Sequence, residues 1–199
     1  MKYYNHSKNA GSVFDVFKHA TLLKAVERKQ PDVYFETHCG FSSYSHPEIW
    51  EASWAKVHRI KPIEMILCDT NPEVGPTIPS YDTFTFYNEN GFYQRLKHKA
   101  DFTFIDPAYV EDSDWIDVAM LCDLIKNWVV WYPIFTTGQK LDIPASCIEM
   151  LWQTDHKMPG CGMAFSKEFG YEDLQFIYNC VPFMAWSLSA REWTLKEYR

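Results

Sequence analysis

The sequence predicts an α/β fold in three layers, with a mostly parallel sheet between two layers of helices. Short apolar segments with strand character alternate along the chain with segments of helical periodicity. Acidic residues, among them Asp69 and Asp106, directly follow two of the apolar segments. The chain has 199 residues, of which 47% are hydrophobic, and this is enough for one well-filled core. We therefore expect residues 1–199 to form a single domain.

The first half of the chain is predicted to hold three helices and three strands. Apolar residues recur at helical spacing over residues 13–29, and the pattern stops at Gln30 and Pro31. The pattern predicts a helix here, and we expect residues 1–30 to form an N-terminal arm and helix whose polar side chains, among them Lys18 and His19, contact substrate and cofactor. The elements predicted next are a strand over 33–37, a helix over 47–58, strands over 63–68 and 83–87, and a helix over 91–99.

The second half continues the alternation. The predicted elements are a strand over 102–105, a helix over 115–125, a strand over 128–132, late strands over 147–152 and 163–166, and a helix over 171–178. The order of the late elements around the Pro159-Gly160-Cys161-Gly162 turn stays open. In an open sheet of this kind, ligands bind at the carboxyl ends of the strands.

The charge balance argues against a dedicated nucleic-acid binder. The formal net charge is -7 and the pI is about 5.5, so no overall positive field would hold a phosphate backbone. Basic residues do cluster in two places, which form either local positive strips or ordinary solvated helix faces. The clusters are Lys18, Lys24, Arg28 and Lys29, and Arg95, Lys97, His98 and Lys99.

Cysteine spacing and hydropathy indicate a cytoplasmic protein. The six cysteines include no Cys-x-x-Cys pair, so no zinc or redox motif is present and reduced, buried thiols are expected. The first residues lack the apolar core of a signal peptide, and no stretch approaches about 18 uninterrupted apolar residues. We expect a monomer with no bound metal and no membrane partner.

The sharpest chemical signal is Asp106-Pro107-Ala108-Tyr109 at the end of a buried strand. The lone pair of an adenine amine is delocalised into the ring, so acceptors must take its protons and direct that lone pair. The Asp106 carboxylate and the Pro107 carbonyl are suited to this work, and Tyr109 would stack on an extruded base. The alternative is a structural role, because Asp-Pro at a strand end is also a common turn.

Polar residues after the other strands are candidates for cofactor binding. Thr37, His38 and Gly40 lie at the carboxyl end of the first strand, where a glycine lets the backbone approach a ligand, although a simple strand-to-helix corner is equally compatible. Asp69 follows the second strand and could accept hydrogen bonds from ribose hydroxyls, although a helix cap is equally compatible. Asn90-Gly91 could meet the edge of a cofactor adenine or form a simple turn.

Two further groups of polar residues precede the first strand. Lys18 and His19 could reach a cofactor carboxylate, and Tyr4, His6 and Lys18 could reach the substrate. The sequence contains no nucleophile elbow, no P-loop and no His-Glu-x-x-His motif, so hydrolase, kinase and zinc-peptidase chemistry is not indicated.

Together these motifs resemble the bacterial family of large-subunit ribosomal RNA adenine-N6 methyltransferases. The opening Tyr4-Asn-His6-Ser7-Lys-Asn-Ala10-Gly11 and the following Asp15-Val16-Phe17-Lys18-His19 are similar to the family's Tyr-x-His-Ser-x-x-Ala-Gly and Asp-Val-x-Lys-His segments. Glu36-Thr37-His38-Cys39-Gly40 is similar to its Asp-Thr-His-Ala-Gly turn, and Asp106-Pro107-Ala108-Tyr109 to its Asp-Pro-Pro-Tyr motif. Trp131-Tyr132-Pro133 and Gly160-Cys-Gly162-Met163 match its late segments, so the resemblance spans nearly the whole chain.

The resemblance implies a Rossmann-like methyltransferase sheet that transfers a methyl group from S-adenosylmethionine to the N6 amine of an adenine. It implies RNA binding and a role in ribosomal RNA processing, with RNA favoured over DNA as the partner. Asp106, Pro107 and Tyr109 would be the catalytic residues, and Tyr4 would assist with substrate. The implied cofactor site comprises Lys18, His19, Thr37, His38, Gly40, Ser45, Asp69, Asn90, Gly91 and Asp106.

Departures from the family pattern leave alternatives open. The chain is a short member that lacks the helical insertion after the first strand, and Ala108 and Glu36 replace a proline and an aspartate. The alternatives are a DNA adenine-N6 methyltransferase and a catalytically inactive relative that binds cofactor and nucleic acid. A nicotinamide-dependent enzyme would need a Gly-x-Gly-x-x-Gly turn, which Thr37-His38-Cys39-Gly40-Phe41 does not supply.

Overall fold

The computed structural model describes residues 12–45, 49–61, 63–138, 141–152, 157–181 and 192–197. The helices are α1 (Val13–Lys29), α2 (Ser53–Ile60), α3 (Gly91–Lys97), α4 (Asp112–Leu124) and α5 (Tyr171–Tyr178). The strands are β1 (Val33–Glu36), β2 (Ser43–Ser45), β3 (Ile49–Glu51), β4 (Glu64–Cys68), β5 (Phe84–Tyr87), β6 (Phe102–Ile105), β7 (Trp128–Ile134), β8 (Ser146–Leu151), β9 (Gly160–Phe165) and β10 (Glu192–Lys196).

Eight strands form one sheet in the order β10-β8-β9-β7-β6-β1-β4-β5. The five strands from β7 to β5 are parallel to one another, and β9, β8 and β10 each pair in antiparallel fashion. The chain builds outward from β1 through β4 to β5, then crosses back to the other side of β1 to form β6 and β7. This reversal makes the β1/β6 boundary the topological switch point, where open α/β sheets bind ligands.

Local sequence signals account for the bounds of α1, the helix that precedes the first strand. Ser12 caps the start of α1, where its side chain accepts a hydrogen bond from the Asp15 backbone N–H. Gln30 caps the other end in a left-handed conformation (φ 47°), and the following Pro31 cannot continue the helix. The buried face of α1 therefore arrives at the sheet with Lys18 directed toward the end of β6.

The core lies on both faces of the sheet, as the predicted three-layer α/β arrangement requires. The larger cluster includes Phe17, Leu22, Trp54 and Phe165 and joins α1, α2 and α5 to the sheet. A second cluster is built around Tyr109, Trp115, Val118 and Leu121 and joins α4 to the strands around β7. The predicted fold class, three-layer α/β with a mostly parallel sheet, is confirmed.

One predicted element is wrong. Residues 47–58 do not form one helix, because Ile49–Glu51 is a strand that pairs with Ser43–Ser45 in an antiparallel hairpin. The helix starts only at Ser53. Ile49 and Trp50 have residue types that favour strands, and the backbone of this segment pairs with Ser43–Ser45, with Trp50 opposite Tyr44 in the register.

The remaining differences concern boundaries and one additional strand. Helix α4 begins at Asp112 because Glu111 and Asp114 form a reciprocal capping box. Strand β7 extends to Ile134, β9 begins at Gly160, and β10 has no counterpart in the predicted elements. Within the described residues, no helix combines the length and apolar character that crossing a membrane requires.

Candidate active site

A cavity of about 600 Å³ opens at the carboxyl ends of the parallel strands, beside the β1/β6 switch point. Its wall is formed by α1 and by the loops that follow β1, β4, β6 and β7. The volume lies within the range of pockets that hold a cofactor-sized ligand. Of the residues predicted to form the site, it is lined by Lys18, His19, His38, Gly40, Asp69, Asp106, Pro107 and Tyr109.

Asp106 is held by a buried ion pair with Lys18. The Lys18 Nζ atom lies 2.8 Å from Asp106 Oδ2 and 3.1 Å from Asp15 Oδ1, and all three side chains are at most 12% exposed. The ammonium also lies 5.4 Å from the centre of the Trp131 ring. The second Asp106 oxygen, Oδ1, has no hydrogen-bond donor in the described part of the chain and is available to a ligand.

The charge states of this pair follow from burial and proximity. Burial raises the pKa of Asp106 to about 6, although the neighbouring Lys18 ammonium acts to lower it. Burial acts to lower the pKa of Lys18, but the carboxylates of Asp106 and Asp15 raise it well above its ordinary value. At neutral pH Asp106 is therefore an ionised hydrogen-bond acceptor beside a charged lysine.

Asp69 connects the loops that follow β1 and β4. Its Oδ2 atom accepts the Gly40 N–H at 3.0 Å, and its Oδ1 atom accepts the Asn71 N–H at 2.8 Å. Gly40 has a φ of 62°, in the left-handed region that favours glycine. Each carboxylate oxygen keeps a further lone pair, so Asp69 can shape these loops and still accept a ligand hydroxyl.

His38 is neutral at physiological pH. Its Nδ1 atom lies 2.8 Å from Thr37 Oγ1, and its ring packs edge-on against Phe92. Burial lowers the pKa of His38 to about 4, although the Asp69 carboxylate acts to raise it. A neutral imidazole can both donate and accept a hydrogen bond at the cavity wall.

Tyr109 occupies a strained and nearly buried position. It has a φ of 51°, a conformation that costs a residue with a side chain about 1 kcal/mol or more. Its hydroxyl donates to the Trp131 carbonyl at 2.8 Å, and its ring packs against Trp115 at a centroid distance of 4.3 Å. Only 6% of the residue is exposed, so in this conformation little of the ring is free to stack on a base.

A buried carboxyl group lies beneath the cavity floor. Glu36 is fully buried and accepts hydrogen bonds from the hydroxyls of Tyr34, at 2.6 Å, and Ser53. Burial raises the pKa of Glu36 to about 8, against the effect of these two hydrogen bonds. Because Ser53 lines the cavity, Glu36 supports the wall without contacting a ligand directly.

Other predicted site residues lie elsewhere or outside the described residues. In the described part of the chain, Thr37, Asn90 and Gly91 are not among the residues that line the cavity. Asn90 caps α3, where its side chain accepts the N–H groups of Phe92 and Tyr93. The predicted Tyr4 and His6, and the side chain of the predicted Ser45, lie outside the described residues.

Sequence reasoning missed several residues of the site. Asp15 and Trp131 both contact the Lys18 ammonium, and Ser53 joins the cavity wall to Glu36. The Asp15-x-x-Lys18 spacing, which places two opposite charges on one helix face, was the available signal for Asp15. Trp131 comes from a strand distant in sequence, and only the tertiary fold reveals its contact.

The residues of this cavity fit S-adenosylmethionine. Asp69 stands where a ribose hydroxyl could donate to it, and the apolar side chains of Phe41 and Val74 offer a surface for an adenine ring. Among the residues that line the cavity, the four carboxylates of Asp15, Glu51, Asp69 and Asp106 outnumber the two lysines, Lys18 and Lys157, which favours a ligand with a positive sulfonium. Within the described residues, no group of three or more His, Cys, Asp or Glu side chains could hold a metal ion.

Comparison with known proteins defines the fold. The N-methyltransferase NodS from Bradyrhizobium japonicum WM9 matches with a TM-score of 0.52 and 13% identity, over 77% of this chain and 96% of its own. The chain has a Rossmann-like methyltransferase fold. The yhhF protein from Escherichia coli, to which methyltransferase activity is attributed, matches with a TM-score of 0.48 and 11% identity, over 74% of this chain and 85% of its own.

Comparison of sequences adds no assignment. No protein-family model matches the chain, and no curated protein matches it. The resemblance to the ribosomal RNA adenine-N6 methyltransferases therefore stays a prediction that rests on the motifs alone.

Proposed function

We propose that this protein transfers a methyl group from S-adenosylmethionine to the N6 amine of an adenine in nucleic acid, with RNA favoured over DNA. One observation carries the proposal: the ionised Asp106 carboxylate, at the switch point of a methyltransferase fold, keeps one oxygen available to the cavity. The resemblance of the motifs to the ribosomal RNA family supports RNA, and ribosomal RNA in particular, as the substrate.

In this mechanism, Asp106 and Pro107 direct the amine. The Asp106 Oδ1 atom accepts one N–H of the amine, and the Pro107 carbonyl accepts the other. Both residues line the cavity, and holding both protons would aim the nitrogen lone pair at the methyl group. Bound S-adenosylmethionine supplies an electrophilic methyl group on its sulfonium.

Lys18 keeps the Asp106 carboxylate ionised, which is the state in which it can accept a hydrogen bond from the amine. Its ammonium holds Oδ2 at 2.8 Å and stabilises the ionised carboxylate, which burial alone would push toward the protonated form. Asp15 holds the same ammonium from the other side, so the buried lysine is compensated by two carboxylates. Lys18 and Asp15 are therefore positioning residues for Asp106.

The cofactor would be held by groups on the other side of the cavity. Asp69 and the backbone near Gly40 would bind the ribose, and His38 and His19 lie along the same wall. Tyr4, His6 and Ser45 keep the substrate and cofactor roles that the resemblance implies. A cytoplasmic location suits both this cofactor and a ribosomal substrate.

A second candidate function is binding of cofactor and nucleic acid without catalysis. Two observations favour it: Ala108 replaces the second proline of the motif, and the Tyr109 ring is packed against Trp115 with its hydroxyl bonded to the Trp131 carbonyl. A stacking role for Tyr109 requires that this packing opens when the base enters.

The product of the reaction tests the proposal. Total RNA and genomic DNA are incubated separately with protein and S-adenosylmethionine, digested to nucleosides and examined by mass spectrometry. The proposal expects an increase in N6-methyladenosine from the RNA pool. An increase confined to N6-methyldeoxyadenosine would assign DNA as the substrate. No methylated nucleoside, with calorimetric binding of S-adenosylmethionine intact, would favour the binding function.

A further inference from the structure

A cluster of exposed apolar side chains covers one face of the molecule. Among the described residues, nine large hydrophobic side chains are exposed, and five of these lie on α3 and α4. These five, which we call the α3/α4 face, are Tyr93, Leu96, Ile116, Met120 and Leu124, each at least 55% exposed. Single exposed apolar residues are ordinary, but a group on two neighbouring helices indicates an interaction surface.

Helical spacing shows that this face is not needed by the fold. Ile116, Met120 and Leu124 are four residues apart and form one stripe along α4. The core face of α4 is formed by other residues, including Trp115, Val118 and Leu121. The exposed stripe is therefore a second apolar side of the helix, for which the monomer supplies no cover in the described residues.

Charges beside the face restrict what can bind it. On α4, the exposed Asp117 and Asp123 border the apolar stripe, exposed Lys126 follows the helix, and exposed Lys97 and Lys99 lie at the end of α3. These charges are of both signs, and the two aspartates break up any basic strip that a nucleic acid or an anionic membrane would need on this side. A protein partner with its own apolar centre and with charges of both signs is compatible with the aspartates beside α4 and with the lysines at the end of α3.

The α3/α4 face is complementary to itself. Helices α3 and α4 contact each other and run in the same direction, because both return from the carboxyl end of one parallel strand to the start of the next. A twofold axis along the helices would place α3 of each protomer over α4 of the other. The basic end of α3 would then meet the acidic border of α4, and apolar side chains would meet at the centre.

We propose that the α3/α4 face is the interface of a homodimer with this symmetry. The proposal replaces the monomer expected from the sequence and is independent of the proposed methyltransferase function. Because the axis runs along the helices, the active-site cavities of the two protomers open at the same end of the dimer, and neither cavity is covered by the partner.

Sedimentation equilibrium of the full chain tests the proposal. The wild type is expected to reach twice its mass of 23.4 kDa by about 100 µM, an ordinary range for weak dimers. Met120→Asp should abolish dimerisation, since a carboxylate at the interface centre would be desolvated without a partner. Ile60→Asp is the matched control, because Ile60 is exposed outside this face and should leave the dimer intact.

Charge reversal distinguishes a second copy from an unlike partner. The Lys97→Glu/Lys99→Glu variant should raise the dimer dissociation constant about tenfold or more through like-charge repulsion. Adding Asp117→Lys and Asp123→Lys gives a fourfold variant, whose dimer dissociation constant should return to within a few-fold of the wild-type value. A wild type that stays at 23.4 kDa at about 100 µM, a dimer unaffected by Met120→Asp, or no restoration by the fourfold variant would each overturn the proposal.

Discussion

At the scale of single residues, the ionisation of Asp106 determines whether the cavity can accept a hydrogen bond from an amine. An amine proton can be accepted only by the carboxylate form, and burial raises the pKa of Asp106 to about 6 despite the Lys18 ammonium at 2.8 Å. Protonation below that pH removes the acceptor. Methyl transfer should therefore fall as the pH drops through about 6.

Replacing Lys18 should move the acidic limb of the pH profile, which is the range of pH over which methyl transfer falls as Asp106 becomes protonated. In Lys18→Met the ammonium that favours the carboxylate is gone, so the pKa of Asp106 rises above about 6 and the limb of kcat/KM shifts to higher pH by roughly one unit or more. The measurement is a pH profile of labelled methyl transfer, at a temperature where circular dichroism shows the variant to be folded.

Lys18→Arg is the matched control for this shift, since it keeps a cation beside Asp106. Its limb should stay near that of the wild type even if turnover falls because the fork geometry differs from that of an ammonium. An acidic limb at the same pH in all three proteins would show that Lys18 does not govern the ionisation of Asp106.

The sequence predicted those site residues whose role follows from a strand end. Asp69 and Asp106 each come directly after a buried strand, Gly40 lies in the loop after β1, and the structure places all three around one cavity. Asn90 also follows a strand, but its side chain caps α3, because the first N–H groups of that helix need an acceptor. The burial of Tyr109 depends on Trp115 and Trp131, which no local pattern relates to it.

At the scale of elements, close contact between α3 and the loop after β1 shapes the back of the site. Gly91, the first residue of α3, lies so near Thr37 that a Cβ atom there would be 2.1 Å from the Thr37 carbonyl oxygen. Backbone atoms cannot move aside as a flexible side chain can. Only glycine allows α3 to approach β1 at this point.

Gly91→Ala should therefore destabilise the protein by about 2 to 4 kcal/mol, because α3 must withdraw from the β1 loop. The measurement is urea unfolding followed by circular dichroism. Gly170→Ala is the control, since a Cβ at Gly170 meets nothing within 4 Å, and its effect should stay below about 1 kcal/mol. Equal losses in the two variants would refute the close contact.

Most elements could be predicted because their apolar periodicity matches their burial. Helix α1 and strand β6 are examples, with a clear helical stripe and a fully buried strand respectively. The β2/β3 hairpin was not predicted because its strands are only three residues long, too short to show the alternation by which a strand is recognised. Strand β10 was missed because it is defined by its pairing with β8, a strand distant in sequence.

At the scale of the whole molecule, the net charge of -7 has to be reconciled with a nucleic-acid substrate. Part of the acidic charge lies on α4, on the same side as the α3/α4 face and outside the cavity lining, as Asp117 and Asp123 show. Lys157 lines the cavity itself and brings positive charge to the crevice. Recognition of the nucleic acid would then depend on the cavity and the residues around it rather than on the electrostatic field of the whole protein.

The most direct measurement of the central claim is transfer of a labelled methyl group from S-adenosylmethionine to total RNA and to genomic DNA, with wild type and Asp106→Ala in parallel. We predict label in the RNA pool with wild type, and a decrease of at least about a hundredfold in the variant, because the acceptor that directs the amine is lost. Undiminished transfer by Asp106→Ala, or no transfer by wild type to either pool, would contradict the account.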